Sequence, residues 1–322
     1  MLSNTTLKNQ LNHTLDKTDF KIGKKYEGKV RDNYSFDGKR LIITTDRISA
    51  FDRVLCSIPF KGQVLNQTSA FWFDKTKKIV DNHVISVPDP NAMLVKECSL
   101  IPVEMVVRGY ITGVTTTSAW YNYEKGVRNF CGNILPEGLR KNQKFRKPII
   151  TPSTKAEHGA HDESISGEEI IKRKLVDDKI YMQMEKAALK LFEYGARLVA
   201  KNNLILVDTK YEFGLLNGKL VLIDEIHTPD SSRFWINNTY DELFAKGQEP
   251  QKLDKEYVRQ YLANKGFIGE GTIPEIPDEV KIETAKRYIT AYEMITGKLF
   301  EAENGNVLER IEGNLTKSGI KV

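Results

Sequence analysis

A chain of 322 residues with 40% hydrophobic and 28% charged residues is long enough for two domains and has the composition of an ordinary globular protein. Its formal charge of +5 suits anionic small ligands, but the lysine clusters at Lys75, Lys77 and Lys78 and at Lys141 through Lys147 lie in no nucleic-acid-binding motif and read as solvated faces. Three scattered cysteines exclude a zinc spacing and fit a reducing compartment, and no segment reaches the roughly 20 apolar residues of a membrane span. The sequence reads as cytoplasmic, with no signal peptide, no membrane contact and no nucleic-acid partner.

From Phe20 to about Val107 the signals are mostly β: Tyr26–Asp32, Arg40–Thr45 and Ile101–Val107 are strand-like runs separated by turns. A helix over Leu65–Lys77 interrupts them, and prolines 88, 90 and 102 divide the rest into extended pieces. In Glu27-Gly28-Lys29-Val30-Arg31-Asp32, strand alternation puts Lys29 and Arg31 on one face, a pattern that suits either a phosphate clamp or a plain charged hairpin. Leu41–Asp52 is an apolar strand ending in Thr44, Thr45, Asp46, Arg47, Ser49 and Asp52, which suits a site on a rigid scaffold or a capped turn. Arg108 follows the apolar run at 103–107, as a ligand group or a structural ion pair.

The middle is rich in Thr, Tyr, Asn and Gly and contains the run Gly113–Ser118. Thr151–Asp162 holds Lys155, Glu157, His158, His161 and Asp162, without the cysteines or helical context that would favour zinc. Ser166 with Glu169 predicts a capped helix from Gly167. A longer helix over Asp178–Lys201 buries Ile180, Met184, Ala187 or Ala188, Leu191, Gly195 and Leu198, with its lysines and tyrosines toward solvent. After a hairpin over Leu204–Trp235 come a helix near Lys255–Lys265 and a last one from Asp278 as N-cap to Gly297, burying Ile282, Ala285, Ile289, Tyr292 and Ile295.

Leu204 to Trp235 is the most informative stretch. Two apolar strands flank Asn217-Gly218 and carry Asp208, Lys210, Glu212, Asp224 and Glu225. Alternation places Asp208, Lys210 and Glu212 on one face, so that face turns from apolar to charged halfway along, as where a strand leaves a core and enters a cleft. Carboxylates and a lysine on a rigid strand pair suit Mg²⁺ and phosphate, although a solvated edge hairpin has the same alternation. Thr228, Asp230, Ser231, Ser232 and Arg233 then form a turn suited to binding a phosphate. There is no Gly-x-Ser-x-Gly elbow and no cysteine with a histidine partner in a known local signature, so nucleophilic catalysis lacks support.

Taken in order, GKVRDNY, TTDRISAFD, VVRGYITG, TPSTKAEHGAHD, DTKYEFG and DEIHTPDSSRFW resemble the blocks of the SAICAR synthetase family, over roughly residues 20 to 300. The resemblance implies an α+β, two-lobed fold: an antiparallel-sheet N-terminal lobe over 1–108, a larger α+β C-terminal lobe over 109–322, and ATP in the cleft between them. It implies ATP-dependent joining of L-aspartate to carboxyaminoimidazole ribonucleotide through an acyl phosphate, in purine biosynthesis. ATP and Mg²⁺ are the implied cofactors, the substrates are small molecules, and a monomer and a homodimer both fit.

Residue by residue, the resemblance implies that Lys29, Arg31 and Lys210 serve ATP, and that Glu212 and Asp224 hold magnesium. Arg108, Ser118, Ser232 and Arg233 would grip the ribonucleotide phosphate, Ser49, Asp52 and Asp230 would contact substrate, and Lys155, Asp162 and Lys210 would serve catalysis. Val114 to Thr117 intervene where family members pass directly from glycine to the serine of Ser-Ala-Trp, so an adjacent threonine is the alternative to Ser118. A kinase or another ligase on a related fold is the nearest rival, and two phosphate-binding arginines argue against a kinase of a neutral metabolite. A non-catalytic nucleotide- or RNA-binding protein is the rival from a different class. The hairpin carries a geometric condition: a strict two-residue turn at Asn217-Gly218 pairs Glu212 with Ile223 and sends Asp224 to the opposite face, so a shared metal requires an odd-length loop or a bulge.

Overall fold

Leu41, Ile42 and Ile43 are buried at consecutive positions, as in a strand covered on both faces, and they sit in the central strand of a five-stranded sheet. The computed structural model that shows this describes residues 2–51, 53–155, 163–253 and 256–322. The chain forms two compact units, each drawn from separated stretches: Met1–Phe73, His83–Glu97 and Leu253–Val322 in the first, Asp74–Asn82 and Cys98–Lys252 in the second.

In the first unit the strands are β1 (Lys24–Glu27), β2 (Arg31–Phe36), β3 (Lys39–Thr44), the separate ribbon β4 (Arg47–Ala50) and β5 (Arg53–Ser57), then β6 (Val84–Asp89) and β7 (Ala92–Lys96). The sheet order is β1-β2-β3-β7-β6, antiparallel throughout. Tyr26 to Asp32 is a hairpin rather than one strand. Gly28 N–H bonds the Arg31 carbonyl at 2.7 Å, and the buried Arg47 guanidinium donates to the carbonyls of Gly28 (2.8 Å) and Lys29 (3.1 Å) and to Asp32 Oδ1 (2.8 Å). Lys29 therefore sits in the turn and Arg31 opens the return strand, so alternation does not relate them.

Helix Lys61–Thr76 starts four residues before the predicted Leu65. Helix Asp278–Thr296 buries the five predicted residues and stops at Gly297 with φ 70°, and its N-cap is Pro277 rather than Asp278. Glu256–Asn264 matches the predicted helix near 255–265. Asn4–Gln10 and Val307–Lys317 are further helices absent from the sequence reading. The second is capped by Asn306, whose Oδ1 accepts from the backbone of Leu308 (3.1 Å) and Glu309 (3.3 Å). The core joins Leu7, Ile48, Phe60 and Val64 to Val258, Ile282, Ile289 and Phe300. The C-terminal helices thus complete the N-terminal unit, and a division at 108/109 cuts through a strand of the second.

That strand, β8 (Ser99–Tyr110), is followed by the ribbon β9 (Asn129–Phe130) and β10 (Asn133–Ile134), then β11 (Lys144–Ile150), β12 (Ser153–Thr154), β13 (Leu204–Leu216), β14 (Lys219–Ile223) and β15 (Ser232–Ile236). The main order is β11-β8-β13-β14, with β12 on β8 and β15 on β13, all antiparallel. Ser166 caps Gly167–Lys172 as predicted, with its Oγ 3.1 Å from Glu169 N. Helix Asp178–Ala200 buries Met184, Ala187, Ala188, Leu191 and Gly195, but also Tyr181, which the sequence reading turned to solvent; Ile180 and Leu198 are half-buried. Among the described residues no helix is long and apolar enough to cross a membrane.

Gly195 faces the buried His227 ring, which contacts Tyr211 Oη through Nε2 at 2.5 Å. A Cβ on Gly195 would lie 2.3 Å from His227 Cε1. Alanine is normally better than glycine in a helix by about 1 kcal/mol, but overpacking costs about 1–3 kcal/mol, so here the sign reverses. Gly195→Ala is expected to lower the unfolding free energy by up to about 2 kcal/mol in urea titrations. A gain in stability would show that the ring yields.

Candidate functional site: a charged face on three strands

The Asn217-Gly218 connection is a strict two-residue turn with φ of 51° and 76°, pairing Leu216 with Lys219 and Glu212 with Ile223. No odd-length loop or bulge shifts this hairpin, so the condition that strand pairing sets for a metal shared by Glu212 and Asp224 is not met within the hairpin itself. Alternation ends at Ile223 instead: Asp224 lies beyond β14 with φ 63°, a left-handed conformation, so the strand rule no longer fixes its direction. Its charge reaches Lys210, as does that of Glu212.

On the other side β13 pairs with β8, with Glu212 opposite Glu104, Lys210 opposite Val106 and Asp208 opposite Arg108. These six residues therefore share a face. Two glutamates directly opposite repel, and Lys210 resolves this: its Nζ lies 2.7 Å from Glu104 Oε1 and 3.1 Å from Glu212 Oε1. Lys155 Nζ takes the other Glu212 oxygen at 2.5 Å. Burial disfavours the Lys210 ammonium, but Glu212, Glu104 and Asp224 outweigh it and hold its pKa well above the ordinary lysine value. Burial would raise the Glu212 pKa, yet Lys210 and Lys155 keep it well below the usual carboxylate range.

Four residues along, about 13 Å at strand spacing, lies a second cluster. Asp208 Oδ2 is 2.7 Å from Arg233 NH1 and 3.5 Å from Arg108 NH1. Arg108 also donates from Nε to Thr151 Oγ1 (2.7 Å) and from NH2 to the Thr117 carbonyl (2.9 Å). The segment Gly113–Ser118 folds back here: Thr115 and Ser118 hydroxyls lie 2.7 Å apart, and Gly113, at φ 94°, packs so closely that a Cβ would sit 2.4 Å from Ser118 Oγ and 3.1 Å from Arg233 NH1. Ser118 thus stays beside Arg233 despite Val114–Thr117, with Thr115 as its partner.

Ser232 does not join this cluster. It pairs with Thr209, one step off the charged face, and its hydroxyl donates to Thr209 Oγ1 at 2.8 Å. Consecutive strand residues point to opposite faces, so Ser232 and Arg233 cannot both face the same ligand from within β15. Asp230 is half-buried in the preceding turn. Lys29, Arg31 and Ser49 belong to the first unit, Lys29 exposed and the other two half-buried. Asp52, Glu157, His158, His161 and Asp162 lie outside the described residues. Glu104 was missed by sequence reading, although Glu104, Val106 and Arg108 repeat the same alternation that singled out β13.

A sheet face that brings lysines and arginines together with carboxylates suits the binding of polyanionic ligands. The sequence profile of the SAICAR synthetase family matches residues 24–273. The phosphoribosylaminoimidazole-succinocarboxamide synthase of Legionella pneumophila (strain Paris) is 48% identical over 307 residues, covering 94% of this chain and 98% of that protein. Among solved structures, the SAICAR synthase of Saccharomyces cerevisiae in complex with SAICAR superposes with a TM-score of 0.79 at 33% identity, over 90% of this chain and 100% of that one. A SAICAR synthetase in complex with ADP gives 0.65 at 27% identity, over 87% and 100%. The chain belongs to the SAICAR synthetase family. It is an ATP-dependent ligase of purine biosynthesis that joins L-aspartate to the carboxylate of carboxyaminoimidazole ribonucleotide.

Proposed function

We propose that the β8–β13 face carries this ligation through an acyl phosphate, with Lys210 at its centre. A carboxylate is a poor electrophile toward an amine, so ATP first phosphorylates it, and the aspartate amine then attacks the acyl carbon and expels phosphate. Phosphoryl transfer depends on alignment and charge neutralisation rather than on a nucleophilic side chain. The observation that carries the reading is Lys210, fixed between Glu104 and Glu212 with Lys155 alongside.

In this reading Lys210 meets the transferring phosphoryl group, and Lys155 and Asp162 serve the substrate carboxylate and the incoming amine. Lys29 and Arg31 of the first unit act on the ATP phosphates, and Ser49, Asp52 and Asp230 contact substrate. Arg108, Arg233 and Ser118 with Thr115 hold the ribonucleotide phosphate. Among the described residues no cluster of three or more His, Cys, Asp or Glu side chains forms a ready-made metal cage. Glu212 and Asp224 supply two hard oxygen donors instead, which suits Mg²⁺, an ion that takes one or two carboxylates and completes its shell with phosphate oxygens and water. Those two residues would hold it, and the bound ion would neutralise phosphate charge.

The test uses ribonucleotide labelled with ¹⁸O in its carboxylate. Label is expected in the released inorganic phosphate, with ADP formation requiring the ribonucleotide. Phosphate free of label would reject the acyl phosphate.

A further inference from the structure

We infer that Asp208 is the positioning residue of the phosphate clamp, the carboxylate that fixes where the Arg233 guanidinium points. The inference rests on the reading of Arg108 and Arg233 as holding the ribonucleotide phosphate. Asp208 lies directly opposite Arg108 on β8 and directly opposite Arg233 on β15, in the middle of three adjacent strands. Strands are spaced about 4.8 Å apart, so this register puts one carboxylate between two guanidiniums that would otherwise repel. It is 6% exposed.

The two arginines are held unequally. Arg108 is buried and is anchored also by Thr151 and Thr117. Arg233 is one-third exposed, and among the described residues only Asp208 hydrogen-bonds its guanidinium. Fixing one NH1 on Asp208 leaves the Nε and NH2 edge for a ligand. Arginine's planar fork binds phosphate best when its orientation is set in advance. Without Asp208, Arg233 is free to rotate and is pushed away from Arg108.

Charge alone predicts the opposite result. Asp208 reduces the pair from +2 to +1, so its removal should strengthen attraction for a phosphate dianion if orientation does not matter. The two accounts differ in sign, which makes Asp208→Asn decisive. The variant keeps the shape and removes the charge. Its KM for the ribonucleotide is expected to rise at least tenfold, while those for ATP and aspartate stay within twofold. An unchanged or lowered KM for the ribonucleotide, or an equal rise for all three substrates, overturns the inference.

If Asp208→Asn does not fold, Asp208→Glu keeps the charge on a longer arm. It is expected to raise the same KM alone, by about threefold or more, and no change overturns the inference. Arg233→Ala measured in parallel separates the two layers. If Arg233→Ala weakens the ribonucleotide selectively and Asp208→Asn does not, only the role of Asp208 falls. If Arg233→Ala affects all three substrates equally, the phosphate clamp itself falls, and the inference with it.

Discussion

Lys210→Met is expected to lower kcat by about a hundred- to a thousandfold, the usual effect of removing one fixed group that stabilises transition-state charge. It should also change how stability depends on pH. In the native protein the Glu212 pKa is held low, so its contribution is complete above the unfolded value of about 4.3 and is lost as pH falls through the folded one. With methionine at 210, Glu104 and Glu212 oppose each other across the strand pair while Lys155 still holds Glu212. The like charges then repel, and the variant is expected to regain stability as falling pH protonates one of the two carboxylates. Breaking a buried ion pair costs about 3–5 kcal/mol, and the partial exposure of Lys210 puts the loss at pH 7 near the lower figure. Urea unfolding at pH 7 and pH 5 should show the variant recovering at pH 5. An equal deficit at both would mean that packing, not like charge, is what Lys210 resolves.

Arg233→Ala and Arg108→Ala should each weaken the ribonucleotide by roughly ten- to a hundredfold, the equivalent of about 1.5–3 kcal/mol for a charge-assisted contact. ATP and aspartate should be little affected. Their stabilities should diverge. Arg233 is one-third exposed and bonds Asp208 alone among the described residues, and the buried Asp208 keeps Arg108 at 3.5 Å, so the loss of Arg233 should cost about 1–2 kcal/mol. Arg108 is buried, and its removal strands Thr151 Oγ1, the Thr117 carbonyl and part of the Asp208 charge, for a cost of about 3 kcal/mol or more. Steady-state KM values with urea midpoints test both halves. A uniform loss for all three substrates would make the arginines structural.

What the sequence made legible follows from which rules are local. Alternation along β13 put Asp208, Lys210 and Glu212 on one face, and the pairing with β8 agrees. Ser166 and Gly297 marked helix ends through side-chain capping and left-handed backbone, both readable from a few residues. Asp224 was harder, because its direction depends on where the strand stops, and a positive φ at a non-glycine residue has no signal in composition. The hairpin at Gly28 was hidden because Arg47, eighteen to nineteen residues away, holds the turn. Glu104 acquires its meaning only from Lys210, 106 residues later, and the C-terminal helices theirs only from a core begun by Leu7 and Ile48.

During synthesis the order of completion is inverted relative to the order of the chain. Residues 98–252 leave the ribosome as a continuous stretch holding every strand of the β8–β13 sheet, so that sheet can close while translation continues. The β1–β7 unit, although started first, waits for residues 258–300 to fill its core. Its closing contacts come later still, when Gly305 exchanges two 2.9 Å bonds with the Gln10 amide and Arg310 grips Asp89 through two 3.1 Å bonds. The apolar side chains of the N-terminal half are therefore those whose packing partners are synthesised last.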